Sequence, residues 1–178
     1  MQPFFIEQMA MYSAYHRDAR NKATHFVGVP AIALSLLIPM AMVRFADLGS
    51  YSLTLATLFA VAVMIYWIVL DPPFGVVTAA IFVPGVWLAD WLAQHNALTA
   101  WASFAILFVG GWIIQLVGHA FEGRKPALLD NLLQALIAPV FLVGEVAFAL
   151  GMRKPLHDAM MRRMPEYLPK GSAAAAAE

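Results

Sequence analysis

With 178 residues, 62% of them hydrophobic and only 12% charged, and a mean hydropathy of +0.73, the chain is too apolar for an ordinary soluble domain and is predicted to sit in a membrane. Eleven basic residues balance eleven acidic ones, so no excess of positive charge points to nucleic acid as a partner. With no cysteine, the chain cannot form disulfides, thiolate-held zinc, iron–sulfur clusters or a cysteine nucleophile, and any metal must be held by imidazole and carboxylate.

The first 24 residues carry Glu7, Arg17, Asp18, Arg20 and Lys22 without an uninterrupted apolar stretch, so they read as part of the mature chain rather than a cleaved leader. Phe5, Met9, Tyr12 and His16 recur at steps of four, three and four, the pattern of a helix with one apolar edge. This predicts an interfacial helix over residues 1–24, either a plain anchor or part of a site.

Five apolar runs follow, each near the roughly 20 residues needed to cross about 30 Å of hydrocarbon. They are His25 to Val43, Tyr51 to Leu70, Pro73 to Ala93, Leu98 to Gly118 and Asn131 to Gly151, with Asp71-Pro72-Pro73 a tight break between the second and third. Continuous runs of this length exclude the alternating strands of a β-barrel. Tyr66, Trp67, Trp87, Trp91, Trp101 and Trp112 lie near the run ends and suggest an aromatic belt, while Gly110-Gly111 and Gly118 suit close helix packing.

Basic residues decide the topology. If all five runs crossed, Lys and Arg would divide almost evenly between the two sides; if only the first four cross, ten fall on one side against one on the other. The expected fold is therefore an all-α integral membrane protein of about four transmembrane helices, both termini on the cytoplasmic side of a bacterial inner membrane. The fifth run, with Asn131, Gln134 and Glu145 and with Pro139 near its middle, is expected to be re-entrant or interfacial. Residues 1–170 form one membrane-embedded domain: the N-terminal helix, a bundle over 25–151 and a basic amphipathic tail over 152–170. The closing low-complexity 171–178 is set aside.

Charged and imidazole side chains are costly in hydrocarbon, so their clustering is informative. The stretch from Tyr15 to His25 and the stretch from Gln115 to Glu122 meet at one membrane boundary in the four-crossing arrangement, bringing three of the five histidines to one face. Gln115, His119 and Glu122 point the same way along a helix, as do Asn21 and His25. His16 is awkward, since nine residues of straight helix would set it about 13.5 Å from His25 on the opposite side, and a shared ion requires a turn between Arg17 and Lys22. A boundary histidine is commonly just a hydrogen-bonding interfacial group, so a metal site and a plain polar cap both stand at this point. His95 reads as solvated, His157 as part of a surface helix, Glu145 as a packing carboxylate or a partner of the site, and Arg162-Arg163 as drawn to anionic headgroups.

Tyr15-His16, Asn21, His25, Gly28 and Pro30, followed by Gln115-Leu-Val-Gly-His119, Glu122, Pro126-Ala-Leu and Asp130-Asn131-Leu-Leu-Gln134, resemble the DUF962 or Mpo1-like family. The likeness runs from about His16 to Leu150, and its GHxxE-then-PAL block is the most specific part. It implies an Fe(II)-dependent dioxygenase that removes the carboxyl carbon of a 2-hydroxy fatty acid, using O2, to give an acid one carbon shorter. It implies His16, His25, His119 and Glu122 as metal and catalytic residues. Arg17, Arg20, Asn21, Lys22, Gln115 and Arg124 are the candidate substrate contacts, with Lys125 a further base for the carboxylate. A non-catalytic lipid-binding or assembly protein is the competing reading, and a small transporter a weaker one, since no charge lies mid-span in the first four runs.

Overall fold

The computed structural model describes residues 2–49 and 51–169; residues 171–178, set aside above, and residue 170 at the end of the expected basic tail lie outside the described residues. Helix α1 (Pro3–Tyr15) starts on Pro3, whose fixed φ and missing N–H suit a first turn. Three residues later α2 (Ala19–Ala41) begins under the Asp18 side chain, which accepts from the Arg20 amide at 2.8 Å. Asp71 closes α3 (Leu55–Leu70) and caps α4 (Pro72–His95) by accepting from the Phe74 amide. Asn96 does the same for α5 (Ala97–Glu122), which ends on left-handed Gly123. A 3-10 turn (Ala127–Leu129) leads to α6 (Gln134–Ala149), α7 (Lys154–Arg163) and a last 3-10 turn (Met164–Tyr167).

Among the described residues, three helices, α2, α4 and α5, are long and apolar enough to cross a membrane. The second apolar run differs from expectation. Arg44–Leu48 and Tyr51–Thr54 pair as an antiparallel hairpin, β1 and β2, with Asp47 opposite Ser52. The hairpin takes the first turn of the expected span, leaving α3 with 16 residues, about 24 Å of helix. In the fifth run, Pro139 does not break the helix. It sits inside α6, and the chain turns instead through left-handed Gly151 and Arg153, so that α6 and α7 meet at 117°.

Among the described residues, the two larger of three buried apolar clusters hold the bundle. Phe5, Met9 and Tyr12 of α1 are buried with Trp67, Phe74, Phe141, Leu156 and Met160, so the apolar edge of α1 faces protein rather than lipid. Leu37, Ile38 and Ala41 at the far end of α2 pack with Ala56, Ala89 and Ala100. Trp67 is likewise a core residue and not part of an aromatic belt, its indole N–H donating to the Leu136 carbonyl at 2.8 Å; Trp87, Trp91 and Trp101 are exposed as a belt requires.

Helices α2 and α5 run antiparallel in close contact. A Cβ on Gly28 would meet the Gln115 side chain, one on Gly111 would meet Ile32, and one on Gly118 would meet Thr24 and Asn21. Gly110 faces open space and has no part in this. The small residues bring the ends of α2 and α5 that carry histidine together.

Candidate metal centre and adjoining cavity

His16 lies in the break between α1 and α2, His25 on the second turn of α2 and His119 near the end of α5. The break supplies the turn that a shared ion demands. All three imidazoles are buried, and one nitrogen from each lies within 4.8 Å of the others. Their ring centroids are 4.3 Å apart for His16 and His25, and 5.1 Å for each of these with His119.

The hydrogen bonds fix the protons. His16 Nδ1 lies 2.7 Å from the Tyr12 carbonyl and His25 Nδ1 lies 2.8 Å from the Asn21 carbonyl. A carbonyl only accepts, so each Nδ1 carries the hydrogen and each Nε2 is a bare lone pair. The two Nε2 atoms nevertheless face each other at 2.9 Å. Neutral rings cannot hydrogen-bond in that arrangement, whereas a cation between them satisfies both. His119 Nδ1 is buried with no hydrogen-bond partner. Burial, then the neighbouring His25, holds the His16 pKa well below the usual imidazole value and keeps it in the neutral, ligating form. Backbone carbonyls behind metal-binding imidazoles are the common orienting device. The donor set therefore fits a divalent transition metal such as Fe(II).

Supports surround the cluster. The Tyr12 ring stacks on His16 with centroids 4.1 Å apart, and Phe141 backs Tyr12 at 4.4 Å. The signal for Tyr12 was its place one helical turn before His16, read in the sequence only as part of an apolar edge.

Glu122 is not brought to the histidine nitrogens. Its Oε2 accepts from the backbone amides of Arg17 at 3.0 Å and Asp18 at 2.8 Å, and from Asn21 Nδ2 at 3.1 Å. The carboxylate thus clamps the turn bearing His16. Asn21 also donates to the Tyr15 carbonyl, and its Oδ1 is buried without a partner.

The basic candidates are engaged elsewhere. Arg20 pairs with Asp18, Lys22 with Glu145 at 2.6 Å, and Lys125 with Asp130. Arg124 donates to the carbonyls of Ala14 and Tyr167 and lies over the Tyr15 ring, which makes it a strut between helices. The Arg17 side chain is exposed. His95 packs beside Trp91, and His157 of α7 packs against Phe148 of α6; neither joins the cluster.

A cavity of about 250 Å³ opens from the histidines. Tyr12, Gln115 and Gln134 share its polar part with the three imidazoles, and the rest of its wall is almost entirely apolar. Of the six substrate contacts expected from sequence, Gln115 alone lines it among the described residues. Gln134, read in the sequence as a polar residue of the fifth run and as the end of the Asp130-Asn131-Leu-Leu-Gln134 block, is held by the Gln8 side chain at 2.7 Å.

The profile of the family described as 2-hydroxy-palmitic acid dioxygenase Mpo1-like matches residues 3–150. The 2-hydroxy-palmitic acid dioxygenase MPO1 of Saccharomyces cerevisiae is 34% identical over 146 residues, which covers 81% of this chain and 80% of the yeast protein. No solved structure matches. The histidine cluster, its apolar cavity and a match over most of both sequences lead to one statement of kinship: this chain belongs to the 2-hydroxy-palmitic acid dioxygenase Mpo1-like family.

Proposed function

We propose that the chain is an Fe(II)-dependent dioxygenase of the membrane that removes the carboxyl carbon of 2-hydroxy fatty acids, giving acids one carbon shorter. The observation that carries this reading is the approach of the His16 and His25 Nε2 atoms to 2.9 Å, with a His119 nitrogen in the same cluster. Bound iron would supply the oxygen chemistry on the 2-hydroxy acid with O2. His16, His25 and His119 would hold the metal; Glu122 and Asn21 fix the turn that presents His16. Gln115 offers its amide to the polar head of the substrate, and the apolar wall takes the acyl tail and excludes water from the reacting end.

In the membrane we propose one embedded domain over residues 1–170 in which α2, α3, α4 and α5 cross. Both termini and the metal site then lie at the cytoplasmic face, an arrangement the ten-to-one distribution of basic residues supports. A reporter fused at the C-terminus should read cytoplasmic.

The functional reading is tested by metal analysis of purified protein and by product analysis after incubation with 2-hydroxypalmitate and Fe(II) in air. Iron in the protein and an acid one carbon shorter are the expected results. Neither iron nor shortened acid would leave a lipid-binding protein without catalysis.

A further inference from the structure

We infer that the cavity opens sideways into the bilayer between Leu36 and Phe59, so that the acyl tail of the substrate enters from the lipid and long tails project back into it. This rests on the proposed 2-hydroxy fatty acid activity and adds how the substrate arrives and which tail lengths the site accepts.

Two antiparallel helices frame the cavity over the same distance. On α2 the lining residues step from His25 through Val29 and Ile32 to Leu36; on α5 they step back from His119 through Gln115 and Trp112 to Phe108. Each series spans 11 residues, about 16.5 Å of helix. Along α3 the wall runs from Trp67 through Val63 to Phe59 at steps of four.

Burial falls along these series with distance from the histidines. On α2, Val29 is 7% exposed and Leu36 46%; on α3, Val63 is 6% exposed and Phe59 39%. A closed measuring pocket would show the opposite at its far end, where the terminal side chains would be the most enclosed. Here, on α2 and α3, the residues next to the histidines are buried and those at the far end are exposed.

The depth of the opening fixes what it faces. His25 stands near the start of α2, and Leu36 lies about 16.5 Å further along, near the middle of a hydrocarbon layer about 30 Å thick. Water is absent at that depth, and the occupant that matches an apolar slot leading to a metal centre is an alkyl chain. A 2-hydroxy acid can then slide in head first from the membrane, its polar end drawn to the imidazoles and Gln115 while its tail stays in apolar surroundings throughout.

Such an opening sets a pattern of chain-length dependence. Each methylene buried along the wall should tighten binding roughly fourfold, from about 0.8 kcal/mol per methylene, until the tail reaches Leu36 and Phe59. Beyond that, added carbons pass from lipid to lipid and change little.

The test uses binding as well as turnover. Affinities of the full chain with bound iron in lipid nanodiscs are compared for 2-hydroxyoctanoate, 2-hydroxypalmitate and 2-hydroxytetracosanoate. Because the natural sequence has no cysteine, Leu36→Cys can be labelled uniquely with a bulky maleimide. In the unlabelled protein, 2-hydroxytetracosanoate should bind within about threefold of 2-hydroxypalmitate. Labelling should weaken both long acids by about tenfold or more and leave 2-hydroxyoctanoate, whose tail ends short of Leu36, within about twofold. Phe59→Cys with the same label should repeat the pattern from α3. A steep loss of affinity for the longest acid in the unlabelled protein, equal loss of all three acids on labelling, or no effect of either label would each overturn the inference. If the long acids bind as expected but no shortened product forms, the catalytic reading falls and the lateral opening stands; if no acid binds, both fall.

Discussion

Asn21 Nδ2 donates to Glu122 Oε2 at 3.1 Å, joining the first turn of α2 to the last residue of α5 at the point where the chain bends to present His16. The same oxygen takes the amides of Arg17 and Asp18, so one carboxylate holds three donors. Glu122→Ala should therefore weaken metal binding about 10- to 100-fold, as loss of a group that orients a ligand does. X-ray absorption on the iron-loaded variant should show an unchanged number of ligands. Loss of one oxygen ligand would make Glu122 a ligand itself.

His119→Ala should abolish turnover and leave helix content intact by circular dichroism. His119 Nδ1 has no hydrogen-bond partner, and the ring lines the cavity, so truncation enlarges an existing space without removing a hydrogen bond at that atom. His16→Ala should cost stability in addition, because Tyr12 stacks on that ring.

Gly118 and Gly110 separate packing from spacing. A Cβ at Gly118 would run into Thr24 and Asn21, so Gly118→Ala should lower stability by about 1–3 kcal/mol. Gly110→Ala meets nothing within 4 Å and should be neutral or slightly stabilising. Thermal unfolding in detergent distinguishes the two.

Arg124→Ala should lower the melting temperature while leaving KM for a 2-hydroxy acid near that of the parent, since the guanidinium is committed to the Ala14 and Tyr167 carbonyls. A large rise in KM with unchanged stability would restore Arg124 as a carboxylate contact.

For the metal-free protein, His16 predicts a fall in stability with acid. Its imidazole is neutral when folded, with the pKa pushed down by burial, whereas the unfolded chain takes up a proton near pH 6.5. The unfolded state therefore binds more protons below about pH 6.5, and stability declines as pH falls through that value towards the lower folded pKa. Denaturant melts between pH 7.5 and pH 5 should show this decline, and His16→Gln should reduce it.

The histidine cluster was legible because polar groups stand out in so apolar a chain. His16, His25 and His119 could be grouped on one membrane face from the distribution of charges alone, and the nine-residue gap already required a turn between the first two. Their metal-facing nitrogens were not legible, since these depend on the Tyr12 and Asn21 carbonyls, and backbone partners leave no mark in a sequence. The contacts that Glu122 makes were not legible for a similar reason. Its helical spacing puts it beside Gln115 and His119, but the unpaired amides of Arg17 and Asp18 lie within its reach and take the carboxylate first. Tyr51–Thr54 read as helix because the residues continue an apolar run, while pairing with Arg44–Leu48 is a contact between strands that periodicity along one segment does not register. Arg124 and Lys22 were grouped as candidate substrate contacts because a charge count cannot tell which bases already have partners.

The brevity of α3 has a mechanical outcome for the surrounding lipid. In the proposed four-crossing arrangement this helix, at about 24 Å, falls short of the roughly 30 Å layer that α2, α4 and α5 are long enough to traverse, so neighbouring lipids would thin or bend to meet it. Phe59 sits on its second turn, and the deformation would therefore be concentrated around that side of the molecule. Reconstitution into phospholipids with progressively longer chains should then penalise this protein more steeply than a bundle of uniform height.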